Sequence, residues 1–222
     1  MIITPNCQIA IDYQNSFVDR GNAGIVWDNF VGTVAYEDSL FGRGWDIPTS
    51  GTLPKLRSST QLNNPCDIDS EYSLMFRINR VNDSQISRFF SGGALLNPAR
   101  GIGVQLENTG AITLNVDRDR SNLLLGTGWK IVGLVKYTTK YELYIFDVAT
   151  KTWEFETINI SRTITWSNRY WRLNNISFNT NDSSLAGDAY ALTTWDAFYL
   201  WNTILEFDEI QRAALDMHPL KG

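Results

Sequence analysis

Apolar and polar residues alternate in short segments along the chain, a pattern that predicts β-strands. Residues 72–78 put four apolar side chains on one face: Tyr72, Leu74, Phe76 and Ile78. Residues 129–137 alternate in the same way, and residues 103–106 and 111–116 flank a turn and predict a hairpin. Each of these strands therefore has one face in a core and the other in solvent or against a partner.

Residues 152–158 also alternate, with aromatic rings on one face and carboxylates on the other. We expect Trp153 and Phe155 to point into the core, because aromatic side chains gain most from burial. Glu154 and Glu156 then point outward.

The C-terminal part of the chain changes from a strand pattern to a helix pattern. Residues 196–201 alternate, and a stripe of helical spacing follows at Ile210, Ala213, Ala214 and Met217. Asp208 and Glu209 precede the stripe, and carboxylates are favoured in the first turn of a helix. We therefore predict a strand followed directly by one short amphipathic helix.

Composition restricts the class of protein. The chain has 222 residues and a net charge of −5, which disfavours a nucleic-acid backbone or an anionic membrane as the main partner. No apolar run approaches the roughly 20 residues of a spanning helix, so membrane insertion is not expected. No linker or low-complexity tract divides the chain, and we expect one domain over residues 1–222.

The order of these segments resembles laminin-G-like domains, which belong to the concanavalin A-like jelly rolls. Besides the C-terminal strand and helix, the segments that carry the resemblance are residues 9–12, 15–22, 31–36, 41–47, 72–78, 128–135 and 141–145. The resemblance covers nearly the whole chain and implies an all-β jelly-roll β-sandwich with one short C-terminal helix. It leaves function open, because this fold hosts lectins, hydrolases, lyases, adhesion modules and structural proteins.

The resemblance also implies a metal site. Many concanavalin A-like domains hold a structural Ca²⁺ near the N-terminal turn and the last strand. The matching positions here are Asp19, the turn carbonyls of residues 21–24, and Asp196. Carboxylate and carbonyl oxygens are the ligands that Ca²⁺ prefers. The alternative is an Asx-turn at Asp19 and an Asp196 that accepts hydrogen bonds from backbone amides.

Candidate catalytic groups are few. His218, the single histidine, lies in the tail, where it suits neither a Ser-His-Asp nor a Cys-His arrangement. Asp67, Asp69 and Glu71 have the spacing of a carboxylate pair on a strand and resemble the Glu-x-Asp-x-Glu of laminarinase-type hydrolases. Asp67 replaces the first Glu, however, and the run precedes the core strand. We expect a solvated acidic segment and no catalytic residue.

Recognition of a ligand is the more plausible use of the chain. Trp166, Asn168, Arg169 and Tyr170 combine aromatic faces with donors and acceptors in a predicted loop, as sugar sites require. In the alternative interpretation, the two rings pack against a neighbouring loop or subunit. Aromatic residues are 13% of the chain, and they are enriched at protein interfaces, so a homo-oligomer is also expected.

The start of the chain carries no signal peptide pattern, which favours synthesis and use without export. We therefore expect a non-enzymatic structural or recognition module of a phage virion, such as a head fibre, decoration or tail-associated protein, with virion proteins or cell-surface glycan as partners. Alternatives are a polysaccharide hydrolase or lyase, or a carbohydrate-binding domain of a larger secreted or cell-surface bacterial protein. Cys7 and Cys66 are expected as free thiols, although a bridge between them stays open.

Overall fold

A computed structural model describes residues 5–12, 19–31, 35–39, 42–47, 55–69, 71–81, 87–92, 102–114, 119–160, 166, 170–173 and 193–217. This part of the chain forms fifteen strands and one helix. The strands are β1 (Cys7–Asp12), β2 (Trp27–Val31), β3 (Ala35–Ser39), β4 (Gly42–Ile47), β5 (Lys55–Ser58), β6 (Tyr72–Arg80), β7 (Ser87–Gly92), β8 (Ile102–Leu106), β9 (Ala111–Leu114), β10 (Asp119–Leu124), β11 (Gly128–Lys136), β12 (Lys140–Asp147), β13 (Thr152–Asn159), β14 (Arg172–Leu173) and β15 (Thr193–Trp201). The helix, α1, is Phe207–Met217.

The strands form two antiparallel sheets. The first sheet has the order β13-β12-β11-β6-β15-β4-β3, and β1 pairs with the part of β15 that β4 leaves open. The second sheet has the order β10-β9-β8-β7-β14-β5-β2. The predicted fold class, an all-β jelly-roll sandwich with one short C-terminal helix, is confirmed.

The central core lies between the two sheets. The alternation predicted for residues 72–78 is observed, because Leu74, Phe76 and Ile78 of β6 point into this core and are buried. Trp195 of β15 packs edge-on against Phe89 of the second sheet, with ring centroids 4.7 Å apart. Burial of each such side chain contributes roughly 1.5–3 kcal/mol to the stability of the fold. Apolar contacts between the facing sides of the two sheets therefore hold them together.

A second apolar layer lies between the outer face of the first sheet and α1. Ile210, Ala213 and Ala214 of the predicted stripe are buried there, against side chains that include Ile131 and Val135 of β11. Gly133 of β11 lets the helix approach closely, since a Cβ at this position would lie 3.1 Å from the Ile210 Cγ2. Within the described residues, no helix is long and apolar enough to span a bilayer.

The start of α1 is fixed by a side chain of its first turn, where the sequence placed acidic residues. The backbone N–H of Glu206 donates to the Glu209 carboxylate at 2.8 Å, and the Glu206 carbonyl accepts from the N–H of Ile210. The bond to the Glu209 carboxylate is one half of a capping box, and the bond to the Glu206 carbonyl is the first ordinary i→i+4 bond of the helix. This cap places Phe207 at the first helical position, at the edge of the first sheet.

The face predicted for residues 152–158 is wrong. Trp153 packs in the layer beneath α1, and Phe155 is 55% exposed on the same outer side. Ile158 of the opposite face lies in the central core. Glu156, expected in solvent, accepts hydrogen bonds from the backbone N–H groups of Asn122 and Leu123 of β10 in the second sheet. Glu156 therefore joins the edge strands of the two sheets.

Candidate functional site

The two aromatic residues of the predicted ligand loop are held by contacts within the protein. Trp166 stacks on Trp171 at 5.7 Å with an angle of 6° between the rings, and its Nε1 donates to the Ile68 carbonyl at 2.9 Å. The Arg57 guanidinium lies 4.3 Å above the ring centre of Tyr170. These contacts agree with the alternative in which both rings pack against neighbouring segments. Asn168 and Arg169 lie outside the described residues, and ligand binding by this loop stays a prediction.

Asp19 accepts hydrogen bonds on both carboxylate oxygens. Its Oδ1 receives the backbone N–H groups of Ala10 at 2.9 Å and Gly21 at 2.8 Å, and its Oδ2 receives the Trp27 indole N–H at 3.0 Å. The bond from Gly21 is that of the Asx-turn that the sequence left as an alternative. The carboxylate thereby ties the turn to β1 and to the first residue of β2.

Asp196 is fully buried and forms an ion pair with Arg77 of β6, with the Nη2 2.8 Å from its Oδ1. It is the extra residue of a bulge in β15, since the register with β6 shifts between Trp195 and Ala197. The bulge turns this carboxylate to the same side as Arg77.

The two carboxylates do not fit a shared Ca²⁺ in this arrangement. β1 pairs with β15 on one side and with Asp19 on the other, so two strand spacings of about 4.8 Å each separate the two backbones. Each carboxylate also already faces N–H donors. Among the described residues there is no group of three or more metal-ligating side chains. Binding of Ca²⁺ stays a prediction from the sequence.

The acidic segment before β6 is a loop and not a strand. Asp67, Asp69 and Glu71 are exposed, and Asp67 has a positive φ of 49°. Since alternate residues share a face only in an extended strand, these carboxylates lack the paired arrangement that a glycosidase needs. His218 lies outside the described residues.

Both cysteines are buried free thiols. Burial, and after it the charge of Asp19, raises the pKa of Cys7 to about 12. Burial, followed by the charges of Asp19 and Cys7, raises the pKa of Cys66 well above its ordinary value. Both thiols are therefore protonated and unreactive at neutral pH.

An open groove lined by aromatic rings lies on the outer face of the first sheet. Its volume is about 320 Å³, and it is lined by Tyr144 of β12, Trp153, Glu154 and Phe155 of β13, and Phe207 of α1. We name these five residues the aromatic groove. Phe155 and Phe207 are 55% and 41% exposed, whereas Tyr144 is 8% exposed and forms the floor.

The rings of the aromatic groove fix one another. Phe207 stacks on Tyr144 at 5.1 Å and meets Trp153 edge-on at 5.6 Å. Phe155 lies beside Tyr144 at 5.1 Å, because the two residues are register partners in the β12–β13 pair. Strand register and the capped helix start thus position the rings before any ligand arrives, which lowers the entropy cost of binding.

Beside the aromatic groove, Glu142 organises a set of polar contacts. Its Oε2 accepts from the hydroxyls of Tyr137 at 3.0 Å and Tyr144 at 2.8 Å, and its Oε1 pairs with Lys140. Burial alone would raise the pKa of Glu142, but the three donors together lower it. Burial and then the hydrogen bond to Glu142 raise the pKa of Tyr137 to about 12. The same carboxylate accepts from the hydroxyl of Tyr144 and so anchors the floor of the aromatic groove.

Sequence reasoning missed the aromatic groove. The alternation of residues 152–158 was visible, but a period of two does not state which face is the core. The helix pattern could have indicated the aromatic groove, because the apolar stripe of the helix requires an apolar surface on the outer face of the sheet. Trp153 with Phe155 supplies part of that surface. Phe207 lies within the predicted helix start, but the sequence does not indicate which residues its ring contacts.

Known structures share this fold. The binding domain of botulinum neurotoxin DC in complex with rat synaptotagmin II has a TM-score of 0.69 at 12% identity, over 96% of this chain and 52% of that chain. Botulinum neurotoxin type C, which depends on interaction with two ganglioside molecules to enter cells, gives 0.67 at 13%, over 96% and 51%. Domain 4 of AbnA, a GH43 extracellular arabinanase from Geobacillus stearothermophilus, in complex with arabinotriose, gives 0.65 at 14%, over 94% and 98%.

The chain spans about half the length of the toxin chains and almost all of the arabinanase domain. At these identities the likeness shows the fold alone. No protein-family model and no curated protein matches the sequence.

Proposed function

We propose that this protein is a non-enzymatic carbohydrate-binding module and that the aromatic groove is its sugar site. The observation that carries the proposal is a preformed groove in which two exposed rings, Phe155 and Phe207, stand over a tyrosine floor. Sugar rings have an apolar C–H face that packs on aromatic rings, and their hydroxyls bond to polar groups at the rim.

The structural neighbours support this class of function. The arabinanase domain was solved with arabinotriose, and the type C neurotoxin interacts with gangliosides. Both are binding domains or parts of proteins that bind glycans, so the fold is compatible with glycan binding at low sequence identity. The solvated loop around Asp69 further favours binding over hydrolysis, because it lacks a pair of facing carboxylates.

Binding to immobilised glycans tests the proposal. Wild-type protein is applied to an array of plant, bacterial and animal oligosaccharides, and positive ligands are measured by calorimetry. We expect Phe155→Ala to weaken binding about five- to tenfold, which corresponds to roughly 1–1.4 kcal/mol of lost aromatic contact. Val26→Ala, which alters an exposed apolar residue just before β2 of the second sheet, serves as the control. Binding that is unchanged in Phe155→Ala would move the sugar site elsewhere.

The narrower role on a phage particle is a further proposal, and it rests on the sequence. A glycan-binding sandwich displayed on a virion would contact the host surface, and virion proteins or other copies of the chain would hold it there. Mass spectrometry of purified particles from the source of this gene tests it. Detection of the protein in stoichiometric amounts supports the role, and its absence from particles leaves a secreted or cell-surface module as the alternative.

A further inference from the structure

We infer that the aromatic groove continues along the open edge of β13, where main-chain N–H and carbonyl groups bind the hydroxyls of a linear glycan chain. This inference rests on the proposed function and names its substrate class and the polar contacts of the site. It follows from the position of β13 at the end of the first sheet, together with the exposed ring of Phe155.

The hydrogen bonds between β12 and β13 show which main-chain groups of β13 face away from the sheet. The N–H of Ile160 donates to the Thr139 carbonyl at 2.9 Å, one step beyond the register pair of Asn159 and Lys140. Hydrogen-bonded and non-hydrogen-bonded pairs alternate along an antiparallel pair of strands. Even-numbered residues of β13 therefore bond to β12. The main-chain groups that point away from β12 belong to Trp153, Phe155, Thr157 and Asn159.

The bonds on the other side of β12 agree with this assignment. The N–H of Tyr137 donates to the Lys140 carbonyl at 2.8 Å, and the N–H of Val148 donates to the Trp129 carbonyl at 3.2 Å. Even-numbered residues of β12 thus bond to β11, and its odd-numbered residues face β13. Two separate sets of hydrogen bonds therefore assign the same outward groups.

The outward groups are accessible to a ligand. No further strand pairs with β13, and within the described part of the chain no hydrogen bond reaches the main-chain groups of Trp153, Phe155 or Thr157. Phe155 and Thr157 are exposed. Contact with the second sheet is made on the opposite face of β13, through the Glu156 carboxylate. The edge beside the aromatic groove is therefore open.

A glycan chain matches this edge. A hydroxyl group both donates and accepts hydrogen bonds, so it suits a row in which N–H and carbonyl groups occur together. Phe155 and Thr157 are two residues apart, which is roughly 7 Å along a strand. One sugar ring on Phe155 and Phe207 therefore places the next ring of a linear chain beside Thr157. The rings supply apolar contact, and a few polar groups at the edge fix the orientation.

A proline substitution tests the role of the main chain. Thr157→Pro removes one outward N–H and no bond to β12, and proline is tolerated at such positions of edge strands. Thr157→Val is the matched control, because it removes the hydroxyl and keeps the N–H. The probes are β-1,4-linked glucotetraose, arabinotriose and the strongest ligand of the glycan array. We expect calorimetry to show binding about five- to tenfold weaker in Thr157→Pro and within about twofold of wild type in Thr157→Val.

Amide hydrogen exchange gives a second measurement that needs no variant. In the protein without glycan, the amides of Phe155 and Thr157 should exchange much faster than those of Glu156 and Ile158, which are bonded to β12. A bound glycan chain should slow exchange at Phe155 and Thr157 and leave the other two amides unchanged.

The failures are distinguishable. If a glycan binds while the two outward amides exchange as fast as before, or while Thr157→Pro keeps wild-type affinity, the role of the edge is overturned and the sugar site remains. Slow exchange of these amides without glycan, increasing with protein concentration, would show that a second copy of the chain pairs with β13 and would also overturn it. No binding of any glycan on the array would overturn the proposed function itself.

Discussion

At the residue scale, two carboxylates show how charge is accommodated in this sandwich, Asp19 half-buried and Asp196 fully buried. Asp19 is bonded to three N–H groups around the first turn, and Asp196 is paired with Arg77 beneath the surface of the first sheet. The sequence singled out both positions, because they match the places where concanavalin A-like domains hold a structural Ca²⁺. It could not supply their partners, since Arg77 is distant from Asp196 in the chain.

The ion pair gives a first prediction. Asp196→Ala leaves the Arg77 guanidinium buried without its carboxylate, and loss of one partner of a buried pair costs roughly 3–5 kcal/mol. Urea unfolding should show this loss in the free energy of unfolding. Asp69→Ala, at an exposed position, should stay within about 0.5 kcal/mol of wild type. If both variants lose the same small amount, the pair has no special role.

The Ca²⁺ expected from the sequence has a direct test. A metal held by Asp19 and Asp196 stabilises the folded state by about 2.7 kcal/mol at a hundredfold excess over Kd. Because both carboxylates already face N–H donors, we expect the melting temperature to be the same in EDTA and in calcium. A drop in EDTA that Asp196→Ala no longer shows would establish the metal instead.

At the scale of elements, sequence patterns predicted the strands and the helix whose formation depends on neighbouring residues in the chain. The 3.6-residue period and the acidic first turn predicted α1, and both the helix and its cap are observed. The period of two predicted β6 and β11. The face of β13 was wrong, because the choice between two faces depends on the helix that covers the first sheet, and that contact is not local.

The contact between α1 and the sheet gives a second stability prediction. Ile210 is buried over Gly133, and truncation of such a side chain costs about 2–5 kcal/mol. Ile210→Ala should therefore lower the free energy of unfolding by that amount in urea. Leu215→Ala on the same helix removes a side chain that is 56% exposed, and it should cost no more than about 0.5 kcal/mol. Similar losses in both would show that the helix does not pack as described.

At the scale of the whole molecule, the sandwich was predictable from the sequence, whereas the aromatic groove, where we propose the sugar site, was not. The succession of strand patterns and the resemblance to jelly rolls predicted the class of sandwich, but not which strands are neighbours in each sheet. The aromatic groove needs β12, β13 and the start of α1 together, and these segments come together only after folding. The loop of Trp166 and Tyr170 looked like a site in sequence because its aromatic residues lie among polar ones. In the structure the same rings contact Ile68, Trp171 and Arg57.

Acid stability of the molecule should depend on Glu142. Its pKa in the folded state is lowered from the ordinary 4.5, since hydrogen bonds from Lys140, Tyr144 and Tyr137 outweigh burial. A lowered pKa contributes stability that is present above about 4.5 and is lost as the pH falls through the lower folded value. Glu142→Gln should therefore flatten the decline of the unfolding free energy below that pH, and Tyr137→Phe should flatten it partly. An unchanged acid profile in Glu142→Gln would contradict this assignment.

The central claim, that sugar binds at the aromatic groove, is tested most directly by the indole N–H signals of the eight tryptophans in a ¹H–¹⁵N spectrum. Titration with a glycan that binds the protein should shift the signal of Trp153, which lines the groove. The signal of Trp166, whose Nε1 is bonded to the Ile68 carbonyl, should stay in place. Single Trp→Phe variants assign the two signals. A titration that moves Trp166 and leaves Trp153 unchanged would place the site at the loop of Trp166 and Tyr170 and contradict the account.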